Sequence, residues 1–293
     1  MNSPLLELAL GVNRVVLYIG YVLLAGTLTF WTLVWPDGQV DRRLVLMTWL
    51  GTALMTVATV TALVIGMVMG GRTYSHIVSP LNGAASIVRL AGLAFMAFFL
   101  VDVARSEIIG WRRVVAVGVV TLVAATMVVQ SDAATGPWRA VKIVAASGHV
   151  LATAAWLGGL VALAMVLIQR ENLRELDWLI PRFSLVATVS VIILVLTGSI
   201  HALAAAGGIG PLLSSRYGLV LLIKVVVVGL LLLLGKYSRR YATRVAFRRV
   251  NPMAASINKE RIRTLTVVMG AEVAIAVVVL ATTSVLVLAA PAL

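Results

Sequence analysis

The side chains of this sequence that could hold a metal ion are three histidines, His76, His149 and His201, because the chain has no cysteine. Imidazole is the commonest protein ligand for transition metals and suits copper and zinc, while methionine thioethers are soft and favour Cu(I). Met67 and Met69, in "GMVMGG", and Met127, in "ATMVVQ", supply thioethers in the same part of the pattern. Without cysteine, disulfides, thiolate metal sites and thiol catalysis are excluded. His149 stands in "SGHVLATAAWLGGL", an apolar stretch rich in small residues. Thr153 follows it by one helical turn and Trp156 by seven residues, which in a regular helix puts both on the face of His149. Thr197 precedes His201 by one turn. These three residues are expected to shape the site.

A second group is defined by cost. Ionisable side chains inside an apolar helix are expensive, so Arg89, Lys224 and Glu272 are also candidate functional residues. Lys224 is expected about 10 Å below one membrane surface and Glu272 about 12 Å from the other. Pairing of the two, directly or through water, would remove an uncompensated charge.

The elements that carry these residues follow from composition. Of 293 residues, 61% are hydrophobic and 12% charged, with a mean hydropathy of +1.05. A soluble domain could not cover that much apolar surface. The chain is therefore expected to be a single transmembrane domain over residues 1–293. Long continuous apolar runs without period-two alternation predict an all-α bundle and exclude a barrel. Eight transmembrane helices are expected at about 13–35, 44–69, 84–102, 113–130, 140–168, 183–206, 217–236 and 264–289. Breakers such as Pro36-Asp37-Gly38, Ser79-Pro80 and Gly136-Pro137 separate them. Trp31, Trp35, Trp111, Trp138 and Trp178 fall near helix ends, as interfacial aromatics do.

Basic residues orient the bundle. The connectors after helices one, three, five and seven carry about 17 Lys and Arg, against about five in the termini and other connectors. The first set is then cytoplasmic and both termini extracytoplasmic. Residues 237–263 form a basic cytoplasmic connector that suits the inner membrane surface. The net charge of +13 is explained by these loops; with no soluble segment long enough for a domain, nucleic acid is not expected as a partner. The start of the chain carries Glu7 and no early Lys or Arg, so the first helix is expected to be retained rather than cleaved. In this orientation His149 lies about 12 Å and His201 about 8 Å from the outer surface. His76 falls in an outer connector, so all three histidines gather in the outer third. Helix five, with Ala145, Ala146, Gly148, Ala152, Gly158 and Gly159, reads as the central helix, because small residues let backbones approach. Gly83 and Arg89 in helix three match Gly218 and Lys224 in helix seven, and helix one shares "LLAG" with "WLGG" of helix five. A duplication of helices 13–130 into 140–289 is one reading of these matches; coincidence in apolar sequence is the other.

The stretches "GHVLATAAWLGGL", "RFSLVATVSVIILVLTGSIHAL" and "YGLVLLIKVVVVGLLLLLGKYSRR", in this order, resemble the copper resistance D family of bacterial membrane proteins. The resemblance rests on His149, Trp156, Gly158, Gly159, Arg182, Phe183, Ser184, Thr197, Gly198, Tyr217, Gly218 and Lys224, and on Glu272 in the last helix. It covers residues 140–289. It implies a multi-pass protein of the bacterial cytoplasmic (inner) membrane, copper (Cu(I) or Cu(II)) as the bound ion, movement of copper toward the cytoplasm, and a periplasmic copper-binding protein as a partner besides the lipid bilayer.

The sequence has no phosphate-binding GKS/T loop and no phosphorylated-aspartate motif, so neither an enzyme nor an ATP-driven pump is expected. Two other readings stay open: a haem protein with His149 and His201 as axial ligands, and a non-transporting assembly partner of another membrane complex.

Overall fold

The computed structural model describes residues 4–35, 41–68, 80–103, 110–131, 138–169 and 176–206, with short helical pieces between 218 and 233. Among the described residues there is no strand. The long elements are α1 (Pro4–Thr29), α2 (Arg42–Val68), α3 (Pro80–Val103), α4 (Trp111–Val129), α5 (Arg139–Thr153), α6 (Gly159–Gln169) and α7 (Leu176–Ala206). A π-turn, Phe30–Val34, extends α1, and a second, Ala154–Gly158, joins α5 to α6 as one continuous rod. Six of these rods are long and apolar enough to cross a membrane: Leu8–Val34, Arg42–Met67, Leu81–Val101, Trp111–Val129, Arg139–Val166 and Trp178–Leu203. They correspond to the first six expected helices. The expected helix 264–289 and the basic connector 237–263 lie outside the described residues, as does most of 217–236.

Helix starts obey local chemistry. α1 and α3 each begin on a proline, whose missing N–H costs nothing in the first turn. α2 is capped by Asp41, whose Oδ1 accepts from the Arg43 N–H at 2.8 Å. α7 begins at Leu176, seven residues before the expected start at 183, and takes Pro181 into its second turn. Proline so near an N-terminus removes one backbone bond, which the rest of a 31-residue helix tolerates. Inside the helices, hydroxyls return to their own backbone. Thr48, Thr52, Thr56 and Thr59 of α2 donate to the carbonyls four residues earlier at 2.7–2.8 Å, which satisfies these hydroxyls within their own helix.

The bundle is assembled around α1. It lies along α2 and crosses the π-turn of the fifth span. Both contacts are made by glycines at close range. A Cβ on Gly51 would lie 2.6 Å from the Leu24 nitrogen, and one on Gly158 would lie 2.1 Å from the Val22 carbonyl oxygen and 2.7 Å from the Gly26 Cα. Gly26 and Gly158 belong to the two similar tetrapeptides, "LLAG" and "WLGG", of spans one and five, so those motifs meet each other in space. Polar ties reinforce the apolar packing: Asn13 Nδ2 donates to the Ala58 carbonyl at 2.9 Å, and the Tyr21 hydroxyl donates to the Val120 carbonyl at 3.0 Å.

The fifth span has half of its apolar window buried, against 11% for the sixth, so the fifth is the more central of the two. Two of the tryptophans expected near helix ends stand at the end of the first span and face the protein. Trp31 and Trp35 are buried, and Trp35 meets Phe30 edge-to-face with ring centres 6.4 Å apart. The π-turn here carries five residues in about one turn and rolls both indoles toward the core. Trp111 and Trp138 are exposed at helix starts, where an amphipathic ring suits a membrane interface.

Candidate metal centre

α5 and α7 run side by side and are the elements that carry His149 and His201. Close approach is possible because the facing residues are small: a Cβ on Gly148 would meet Thr197 and Ile193 of α7 at 3.7 and 3.8 Å, and one on Gly198 would meet the His149 ring at 3.6 Å. The two imidazoles come together with ring centres 6.3 Å apart and planes at 85°. Both side chains are half-buried. They are 52 positions apart in sequence and stand near the same end of the antiparallel pair.

The separation has a chemical meaning. Metal–imidazole bonds run roughly 2.0–2.1 Å, so two rings sharing one ion have centres at most about 6.5 Å apart, and that limit corresponds to a linear N–metal–N arrangement. The observed 6.3 Å falls just inside that limit. A bent arrangement with further ligands would need the rings to close by about 1 Å.

Around the pair, hydroxyls hold the ring and the helix. Thr197 Oγ1 lies 2.9 Å from His149 Nδ1 and itself donates to the Ile193 carbonyl at 2.6 Å. Thr153 donates to the His149 backbone carbonyl at 2.8 Å, so its hydroxyl is spent on the helix and not on the ring. Trp156 departs from the expected register. It lies within the second π-turn, where the regular spacing that would align it with His149 is broken, and its indole packs into the main core without a ring contact to either histidine.

The methionines are distributed differently from the histidines. Met67 is 68% exposed on the last turn of α2, and Met127 is buried in the main core on α4. His76, Met69, Lys224 and Glu272 lie outside the described residues. Among the described residues no group of three or more His, Asp and Glu side chains converges on one point.

Arg89 forms a second polar centre, on α3 against the end of α4. It is only 2% exposed. Its Nε donates to the Thr126 hydroxyl and its Nη2 to the Thr126 carbonyl, both at 3.0 Å, and Nη2 also donates to Gln130 Oε1. Gln130 Nε2 in turn donates to the Asn82 carbonyl and the Ser86 hydroxyl at 2.8 Å each. The guanidinium therefore faces the carbonyl end of α4, where the helix dipole is negative. Sequence reasoning singled out Arg89 and missed Thr126, Gln130 and Ser86. The spacing of Asn82, Ser86 and Arg89, one face of a helix, was the available signal; Gln130 at the end of the facing helix had none.

These features define a multi-span helical membrane protein with a pair of imidazoles between two of its spans. The family model for copper resistance protein D matches residues 178–286, so this segment of the chain is similar to that family. No curated protein and no solved structure matches the chain. The matched segment contains Thr197 and His201 but begins after His149, so His149 joins His201 through the packing of α5 on α7.

Proposed function

We propose that this chain binds copper between its fifth and sixth spans and passes it across the bacterial cytoplasmic membrane toward the cytoplasm, as a transporter and not an enzyme. The observation that carries this reading is the His149–His201 pair, at a separation that one ion can bridge, with His201 inside the copper resistance D match. Thr153 and Thr197 lie beside the pair, and His76 or the Met69 thioether, both outside the described residues, would complete the coordination if a third ligand is used. With no nucleotide motif in the sequence, the energy would come from the ion gradient, the membrane potential or a periplasmic copper-binding partner. A haem held by the same two histidines is disfavoured by the contacts between them. Thr197 and Gly198 lie against the His149 ring, where a porphyrin would need a broad slot.

In this reading the chain has eight spans, with 13–130 and 140–289 as its two halves, both termini extracytoplasmic and 237–263 cytoplasmic. Basic-residue asymmetry supports that topology. The decisive experiment is metal analysis and absorption of the purified protein, followed by copper uptake into proteoliposomes. Bound copper that is lost in His149→Ala and in His201→Ala, with no Soret band, is the expected result. A Soret band would replace copper by haem, and unchanged copper binding in both variants would move the site elsewhere. Alkaline phosphatase fused after residue 293 is expected to be active, and fused at Arg249 inactive; the opposite pattern would overturn the topology.

A further inference from the structure

We infer that the Nη1 edge of Arg89, together with the Tyr18 hydroxyl and Arg14, forms a binding site for a monovalent anion of the halide class, chloride above all, between α1, α3 and α4. A count of donors comes first. A guanidinium carries five N–H groups. Nε spends its one on the Thr126 hydroxyl, and Nη2 spends its two on the Thr126 carbonyl and Gln130 Oε1. The two on Nη1 meet no acceptor among the described residues. This nitrogen is not sealed in. Among the described residues the enclosed side-chain polar atom without a partner is Thr27 Oγ1, so the 2% of Arg89 that stays accessible includes Nη1.

Charge sets the sign of the ligand. Thr126 and Gln130 are neutral, and among the described residues no carboxylate pairs with Arg89. A buried cation without a counter-charge is costly in a bilayer. Tyr18 of α1 interacts electrostatically with both Arg89 and Arg14. Tyr21, one turn further along, ties this stretch of α1 to α4 through the Val120 carbonyl at 3.0 Å. The Tyr18 hydroxyl makes no hydrogen bond among the described residues, so it is a further donor to set beside Nη1. Arg14 is exposed and brings a second positive charge on a long side chain. Geometry then selects the class of anion. A carboxylate or phosphate is gripped by two parallel N–H groups of a guanidinium. The Nε and Nη2 pair is given to Thr126, and the Nη1 and Nη2 pair is broken because Gln130 takes the second Nη2 proton. What remains suits a single-atom anion. A confined site also favours a singly charged ion over doubly charged sulfate or phosphate, whose desolvation costs more. The negative end of the α4 dipole is met by Nε and Nη2 and so is covered by the guanidinium itself.

The test uses the full chain purified in detergent in sodium gluconate and titrated with sodium chloride at constant ionic strength. The chloride-35 NMR line is expected to broaden saturably, and bromide should reverse the broadening while sulfate and gluconate do not. Tyr18→Phe removes one donor to a charged ligand and should weaken chloride binding by about 10-fold. Arg14→Gln, at an exposed and screened position, should weaken it by about two- to threefold. Arg89→Met should abolish the saturable broadening. Because that variant also loses the contacts to Thr126 and Gln130, its melting temperature is read alongside; Tyr18→Phe leaves those contacts in place and decides the matter if Arg89→Met does not fold. A parent with no saturable broadening would overturn the inference, as would a Tyr18→Phe protein with the parent's chloride affinity. Displacement by sulfate as readily as by bromide would overturn the halide class.

Discussion

Arg89 and His149 are both nitrogen-bearing side chains set into apolar helices, and the bundle treats them in opposite ways. Arg89 is enclosed: three donor contacts run to the last turn of α4, and its acceptor Gln130 is braced from behind by α3. The arrangement suits a charge that never changes, since a guanidinium stays protonated and must have acceptors wherever it is buried. His149 is half-buried, held at Nδ1 by one hydroxyl, and set ring to ring with another imidazole. An imidazole can be neutral, so it need not be compensated, and a pair of them offers lone pairs to an ion. The comparison separates a polar group that locks two helices from one that, in the copper-binding reading proposed above, serves a ligand between two helices.

The contrast can be broken at its common frame. Gly158 places the fifth span against α1, and with it both the α5–α7 pair and the core next to α4. Gly158→Val would drive side-chain atoms into the Val22 carbonyl and the Gly26 backbone. Backbone cannot yield as a flexible side chain does, so this variant is expected to lose the assembled fold, by more than the roughly 1–3 kcal/mol of ordinary overpacking. Size-exclusion profile and thermal melting in detergent would check it; a parent-like melt would mean that the helices do not cross as closely as described.

Next in size is Arg89→Met. Removing the guanidinium leaves Thr126 and Gln130 acceptors in a buried site, and a loss of about 2–3 kcal/mol is expected. Copper binding by the folded fraction should be unchanged. If it falls along with stability, the two centres are coupled and the contrast drawn above fails.

His149→Ala should behave inversely. Interhelical hydrogen bonds in membranes average about 0.6 kcal/mol, so its melting temperature should move little, while copper affinity falls by about 100-fold or more. A large drop in stability with intact copper binding would make His149 a structural residue like Arg89. The smallest effect is expected for Met67→Leu. Its side chain is 68% exposed on α2, so stability should stay within about 0.5 kcal/mol of the parent. Copper affinity should also be retained; a loss would bring this thioether into the site through a rearrangement of the end of α2.

Much of this was legible in the chain itself. Apolar runs of membrane length admit only helices, because every backbone polar group must be satisfied within its own segment. That is a local requirement, so spans one to six were readable from composition, with errors at ends: α7 begins at Leu176, seven residues before the expected 183. The cost of an intramembrane charge is also local, and it marked Arg89; the same reasoning about residue type marked His149 and His201. Tertiary structure decided who meets whom. The crossing of Gly26 with Gly158 and the π-turns at Phe30–Val34 and Ala154–Gly158 are not properties of any one helix. They set rotation about the helix axis, which moved Trp31 and Trp35 inward and took Trp156 off the face of His149. The distance between two imidazoles 52 positions apart, and the Thr197 hydroxyl placed 2.9 Å from Nδ1 of one of them, were likewise fixed only when α7 packed on α5. A sequence lists side chains along one helix at a time, and a coordination site is a relation between two.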